Sequence, residues 1–205
     1  MLIELRPENP DNRQIRRLAE FLRNGEVIIV PTDSVYALVC DIQSNSAIER
    51  ICKILGKKPQ KANLSLLCRD LSNISEYCLQ IPNPVFKLMK QVLPGPYTFI
   101  LNANTQVPKI FKANKKTVGI RVPDNRIVEA LLAELGRPLV SSSIHAEDEI
   151  RQYLTDPVEI HAVFEYQVSA VIDGGAGQNV GSTVLDCTGK DVEIIREGLG
   201  MDKLN

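Results

Sequence analysis

The chain lacks an excess of charge: 24 basic and 25 acidic side chains in 205 residues leave a formal net charge of −1. Without a bulk positive field, any surface for nucleic acid must be local. It also lacks a long apolar run, since none approaches the roughly 18 residues that a membrane-spanning helix needs. Its first residues, Met1-Leu2-Ile3-Glu4-Leu5-Arg6, are too short and too charged for a secretory leader. CxxC spacing is missing as well. The five cysteines (Cys40, Cys52, Cys68, Cys78 and Cys187) are odd in number, and most sit in apolar runs. Buried thiols in a reducing compartment are therefore expected, rather than disulfides or zinc. Repeats and low-complexity segments are absent. What remains is 44% hydrophobic and 24% charged, an ordinary globular balance, expected to form one cytoplasmic domain over 1–205.

The most informative stretch runs from Val27 to Leu38. Val27-Ile28-Ile29-Val30 reads as a strand buried on both faces. Pro31 stops it, having no N–H to donate. Thr32, Asp33 and Ser34 follow, then Tyr36. Polar groups released at the end of a buried strand sit where open α/β sheets hold ligands. The competing reading is a turn in which these side chains bond their own backbone.

Strands are also expected at Leu2–Leu5, Leu64–Cys68, Tyr97–Leu101, Val118–Pro123, Pro138–His145, Val168–Asp173, Thr183–Asp186 and Val192–Arg196. Helical spacing appears at Asn12–Asn24, Asn45–Leu55, Leu71–Tyr77, Asn83–Val92, Asn125–Leu135 and from Asp156-Pro157 onward. Strand pairs 26–31 with 35–38, and 168–172 with 183–186, are joined too briefly for parallel crossovers. The fold class is therefore α+β, a mixed, twisted sheet covered by helices. The arginines of the first helix (Arg13, Arg16, Arg17, Arg23) read as a solvated face.

Three further features carry possible chemistry. Lys57, Lys58 and Lys61 occupy one loop before a strand, which helix-dipole compensation, solubility or an anion clamp could each explain. Arg121 lies inside an apolar strand and needs an anion, either a structural carboxylate or one from a ligand. The strand Pro138–His145 ends in hydroxyls and one imidazole, His145. Residues 174–183 are glycine-rich but lack the P-loop lysine and precede a strand, so they form neither nucleotide fingerprint. Such a loop can still bring backbone close to a ligand, with Ser182 at its rim.

Taken in order, Pro31-Thr32-Asp33-Ser34-Val35-Tyr36, the Lys-rich loop before Leu64, Pro94-Gly95-Pro96-Tyr97-Thr98, Gly119-Ile120-Arg121-Val122-Pro123, Ser141-Ser142-Ser143 and Gly181-Ser182-Thr183-Val184-Leu185-Asp186 resemble the YrdC-like threonylcarbamoyl-adenylate synthase family. Cys68-Arg69-Asp70-Leu71 and Tyr97-Thr98-Phe99-Ile100-Leu101 bring the likeness closer to its YciO branch. The resemblance implies a three-layer α/β/α fold around a large, positively lined concave cavity. It also implies binding of ATP with Mg²⁺, L-threonine and bicarbonate, chemistry toward adenosine 37 of tRNA, and affinity for structured or double-stranded RNA.

By the same resemblance, Ser34, Arg121 and Ser182 fall at threonine contacts, with Thr32 and Tyr36 shaping that pocket. Lys57 and Lys58 fall at the catalytic loop, and Lys61, Asn63, Ser141, Ser143, His145 and Arg196 on the nucleotide side. Two signatures depart from the pattern. The Lys-x-Arg places its arginine at Pro59 or, in the other register, at Lys57. The Ser-x-Asn becomes Ser143-Ile144-His145, and a frequent histidine is Cys68. Three readings follow: a threonylcarbamoyl-adenylate synthase slowed by these changes, a non-catalytic RNA-binding protein using Lys57, Lys58, Lys61, Lys115, Lys116 and Arg121, or an enzyme for another carbamoyl or acyl substrate.

Overall fold

The structure is a computed structural model and describes residues 1–109, 116–145 and 153–204. Its centre is a ten-stranded sheet of β1 (Leu2–Glu4), β2 (Ile28–Val30), β3 (Ala37–Asp41), β4 (Ser65–Leu67), β5 (Tyr97–Asn102), β6 (Thr117–Arg121), β7 (Leu139–Ser143), β8 (Ala170–Asp173), β9 (Thr183–Asp186) and β10 (Glu193–Arg196). The spatial order is β1-β8-β2-β3-β7-β4-β6-β5-β9-β10. Pairings β1–β8, β2–β8, β4–β6 and β5–β9 are parallel, and the rest antiparallel, so the sheet is mixed as expected.

One expected pairing fails. β2 and β3 are antiparallel neighbours, Ile29 opposite Leu38. The segments 168–172 and 183–186 do not pair: β8 lies between β1 and β2, while β9 lies between β5 and β10. The glycine-rich connection crosses the sheet instead of turning back, tied down on the way by Gly177 N–H to the Thr155 carbonyl and Gln178 N–H to that of Ser34.

Helices form where apolar spacing and caps agree. The six described are α1 (Asn12–Arg23), α2 (Asn45–Ile54), α3 (Leu71–Ser75), α4 (Asn83–Val92), α5 (Arg126–Leu135) and α6 (Pro157–Phe164). Asp11, Ser44, Asp70, Asn125 and Asp156 each cap a helix by accepting from a backbone N–H of its first turn. Gly136 ends α5 at φ 75°, in the left-handed region. Among the described residues no helix is long and apolar enough to cross a membrane.

The sheet is apolar on both faces, but not over the same area. On one face Leu38, Leu66, Phe99, Ile120, Val140 and Leu185 pack with Ile48, Ile51, Ile74, Met89 and Ile160 from α2, α3, α4 and α6. On the other, Ile28, Val30, Val39, Leu67, Leu139 and Ile172 meet Ile15, Leu18, Leu22, Ile127, Leu131 and Leu135 from α1 and α5. That second cluster takes nothing from β5, β6, β9 or β10. The uncovered half of the face is a hollow.

Candidate functional site

The hollow is a cavity of about 480 Å³, within the range of small-molecule sites. Strand alternation explains its lining. Tyr97, Phe99 and Leu101 of β5 and Val118 and Ile120 of β6 point into the core, so their neighbours Thr98, Ile100, Thr117, Gly119 and Arg121 turn into the cavity. Ser65 and Ser141 extend the floor from β4 and β7, where they face each other in register. The floor is thus small and hydroxyl-rich where the opposite face is large and apolar.

Arg121 is 5% exposed. Its Nη2 donates to Asp33 Oδ1 at 2.7 Å and to Ser34 Oγ at 2.9 Å, while Asp33 Oδ2 accepts the Asp124 N–H at 3.0 Å. The anion that the strand arginine requires is therefore a structural carboxylate of the chain. Burial pushes the Arg121 guanidinium down from its usual range; Asp33 opposes this, and the like charge of Arg196 adds to it. The Arg121 Nε is buried without a partner, so its capacity to donate is not exhausted.

Across the floor, Ser182 Oγ lies 2.8 Å from Thr98 Oγ1. Arg196 folds back over it, donating from Nη2 to the Ser182 carbonyl at 2.8 Å. Lys57, Asn63, Ser143 and His145 complete this side, with the His145 ring 4.9 Å from that of Tyr153. Lys57 and Asn63 belong to the loop between α2 and β4, where Pro59–Lys61 forms a single tight turn. Among the described residues the lining holds Lys57, Arg121 and Arg196 but no aspartate or glutamate. Among the described residues no group of three His, Cys, Asp or Glu could hold a metal. Among the described residues the lining offers a resident Mg²⁺ no carboxylate oxygen.

Of the residues singled out in the sequence, Lys57, Asn63, Arg121, Ser141, Ser143, His145, Ser182 and Arg196 line this one cavity. Ser34 is fully buried and reaches it only through Arg121. Thr32 serves the turn, donating to the Val35 carbonyl at 2.8 Å and accepting the Ser34 N–H at 3.1 Å.

Tyr36 is corrected outright. It is fully buried in the core, and its hydroxyl donates to the Gly175 carbonyl at 2.6 Å, because parity turns it to the face opposite Ala37. Lys58 and Lys61 are exposed and absent from the lining, since the tight turn directs them to solvent. A basic surface for RNA is corrected at Arg121, which is buried and ion-paired; Lys115 lies outside the described residues. The glycine loop makes its close approaches to the protein itself: a side chain at Gly177 would meet the Tyr36 ring, and one at Gly174 would meet Pro31.

Ser65, Thr98, Thr117 and Gly119 line the cavity but were missed as site residues, and Asp33, read only as one of the polar groups after the buried strand, proves to be the partner of Arg121. The signal was present in the alternation of strands such as Thr117-Val118-Gly119-Ile120-Arg121, where every second residue is too small or polar for a core.

Comparison with known proteins agrees with this fold. Residues 20–198 match the family Sua5_yciO_yrdC, which carries the description "Telomere recombination". YciO of Escherichia coli strain K12, described as uncharacterized, is 42% identical over 198 residues, 96% of this chain and 94% of that protein. The crystal structure of E. coli YciO superposes with a TM-score of 0.91, covering 98% of this chain and 96% of the other. A threonylcarbamoyl-AMP synthase of Halorhodospira halophila is 27% identical over 80% of this chain and 84% of its own. P. abyssi Sua5, crystallised with L-threonine, is 27% identical with a TM-score of 0.88, covering 97% of this chain and 57% of that one. The chain is a member of the Sua5/YciO/YrdC family, with close homologues in YciO and more distant ones among threonylcarbamoyl-AMP synthases.

Proposed function

We propose that the cavity binds L-threonine at its Arg121 end and ATP, carried with Mg²⁺, along its Lys57–Arg196 side, and that it forms threonylcarbamoyl-adenylate. In this reading threonine and bicarbonate give a carbamate, whose oxygen attacks the α-phosphate while pyrophosphate leaves. The product serves the modification of adenosine 37 in tRNA. The observation that carries the proposal is the convergence of Arg121, Ser182 and Arg196 on a single hydroxyl-floored hollow. The likeness to a Sua5 crystallised with L-threonine supports it.

The residues present suit the task. Charge that develops on phosphate oxygens is best met by fixed donors and cations. Arg196 is steadied by the Ser182 carbonyl, and Lys57 faces it from the loop. Where the family pattern would supply a loop arginine stands Pro59 or, in the other register, Lys57, and both line the cavity. The bidentate fork is lost, and a slow reaction is expected. Pyrophosphate release that requires both threonine and bicarbonate is the test; none above blank at high enzyme concentration overturns the catalytic reading.

A further inference from the structure

We propose that Thr183 is a positioning residue that aims Arg196 into the cavity, by holding β10 in a register without which this arginine would turn away. Its effect on nucleotide rests on the reading that ATP lies along the Arg196 side. In β9, Ser182 and Val184 line the cavity, so Thr183 between them turns to the other face, where it is fully buried. β10 runs antiparallel to β9, with Glu193 opposite Asp186 and Ile194 opposite Leu185. The register then shifts, and Arg196 rather than Ile195 stands opposite Val184. The extra residue makes a bulge. Opposed residues share a face, so Arg196 joins Val184 on the cavity side, and Ile195 lines the cavity beside it. In an unbulged strand Ile195 would oppose Val184, and Arg196 would oppose Thr183 on the far face.

The Thr183 side chain closes that alternative. Its hydroxyl donates to the Leu199 carbonyl at 2.8 Å and accepts the Gly198 N–H at 3.1 Å, gripping backbone just beyond Arg196. Tyr97, the partner of Thr183 across to β5, holds the next residue, its hydroxyl donating to the Gly200 carbonyl at 2.6 Å. The Leu199 N–H in turn donates to the Gly181 carbonyl at 2.9 Å. The chain after Arg196 is thus pinned against the start of β9. With the register so held, Arg196 reaches the Ser182 carbonyl from both Nε and Nη2, at 3.2 and 2.8 Å. β10 supplies little of its own to fix this alignment. All four of its residues are exposed, and the adjacent Ile194 and Ile195 are 48% and 56% exposed. A strand with no buried face specifies its register weakly, so the hydroxyl decides it.

The experiment pairs Thr183→Val, which keeps the shape and removes the hydroxyl, with Thr183→Ser, which restores it, and reads ATP affinity by calorimetry on the full chain. Thr183→Val should weaken ATP binding by about tenfold, and Thr183→Ser by less than about twofold. Adding Thr183→Val to Arg196→Ala should cause no further loss, because a residue that acts only through Arg196 then has nothing to act on. Losses that multiply in the double variant, or full affinity in Thr183→Val, overturn the inference. The placement of Arg196 is also read without ligand, from its Nε–H signal in nitrogen-15 NMR spectra, assigned by its disappearance in Arg196→Ala. That signal should persist in Thr183→Ser and be lost to solvent exchange in Thr183→Val; an unchanged signal in Thr183→Val overturns the inference. If the unaltered protein binds no ATP, or Arg196→Ala binds it unchanged, the nucleotide reading falls and the NMR comparison decides the inference alone. Should Thr183→Val not fold, Tyr97→Phe, which frees the Gly200 carbonyl of the same returning segment, is measured in its place with the same expected results.

Discussion

Tyr36 and Gly175 are joined by a 2.6 Å hydrogen bond from phenol to carbonyl, which fastens the glycine-rich loop to the strand that opens at Ala37. The Gly174 N–H returns a second, longer bond to the same hydroxyl at 3.3 Å. A residue that sequence alone sets among ligand contacts therefore holds two distant segments of backbone together. Tyr36→Phe should lower stability by about 1–3 kcal/mol, because the Gly175 carbonyl loses its partner. Threonine affinity should change little. Urea denaturation and calorimetry on the same preparation separate the two effects.

Gly198 stands where β10 returns past Ser182. A Cβ there would lie 2.3 Å from the Gly181 carbonyl oxygen and 2.7 Å from the Ser182 carbonyl carbon, both backbone atoms with little freedom to yield. Gly198→Ala should cost about 1–3 kcal/mol as overpacking and displace Arg196 from the Ser182 carbonyl. A lower thermal midpoint with weakened ATP binding is the expected result.

Arg196→Ala should reduce ATP affinity by about tenfold to a hundredfold, the value of one charge-assisted contact, while leaving threonine affinity nearly intact. Lys57→Ala should act in the same direction. Equal losses for both ligands in titrations of each variant would show that these cations do not belong to one side of the cavity.

All five cysteines are free and buried. Burial pushes the Cys78 thiol up to about 12 and that of Cys187 up to about 11, with the negative charge of Asp186 adding to the latter. Burial likewise raises the Tyr36 phenol to about 12. Each of these groups is neutral when protonated and has a higher pKa folded than unfolded. Folding is therefore favoured fully below the unfolded values, and that contribution is lost as pH climbs through the folded ones. Stability should fall between about pH 9 and 12. A thiol reagent at pH 8 should label the native protein slowly and all five thiols after denaturation.

Much of the fold was legible in residue order. Helix positions were legible from apolar spacing, and the structure shows Asp11, Asn125 and Asp156 capping their first turns and Gly136 closing α5, because capping satisfies backbone groups locally. Strand partners were less legible. The connection from β8 to β9 is short enough for a hairpin, yet its glycines pack against Pro31 and Tyr36 and lead across the sheet. Arg121 was legible because a charge in an apolar strand is conspicuous; Lys57, Asn63, Ser141, Ser143, His145, Ser182 and Arg196, which also line the cavity, were legible through the family resemblance. The floor of Ser65, Thr98, Thr117 and Gly119 was missed because small residues in a strand suggest weakness before they suggest space.

The sequence by itself determined which residues form strands, which end helices, and that Arg121 must meet an anion, since periodicity, capping and the cost of a buried charge are local properties. Tertiary structure alone decided that the anion is Asp33, 88 residues earlier in the chain, and that α1 and α5 cover only part of one sheet face. Those outcomes depend on strand order and layer coverage, which the free energy of the whole packed chain selects and no single segment encodes.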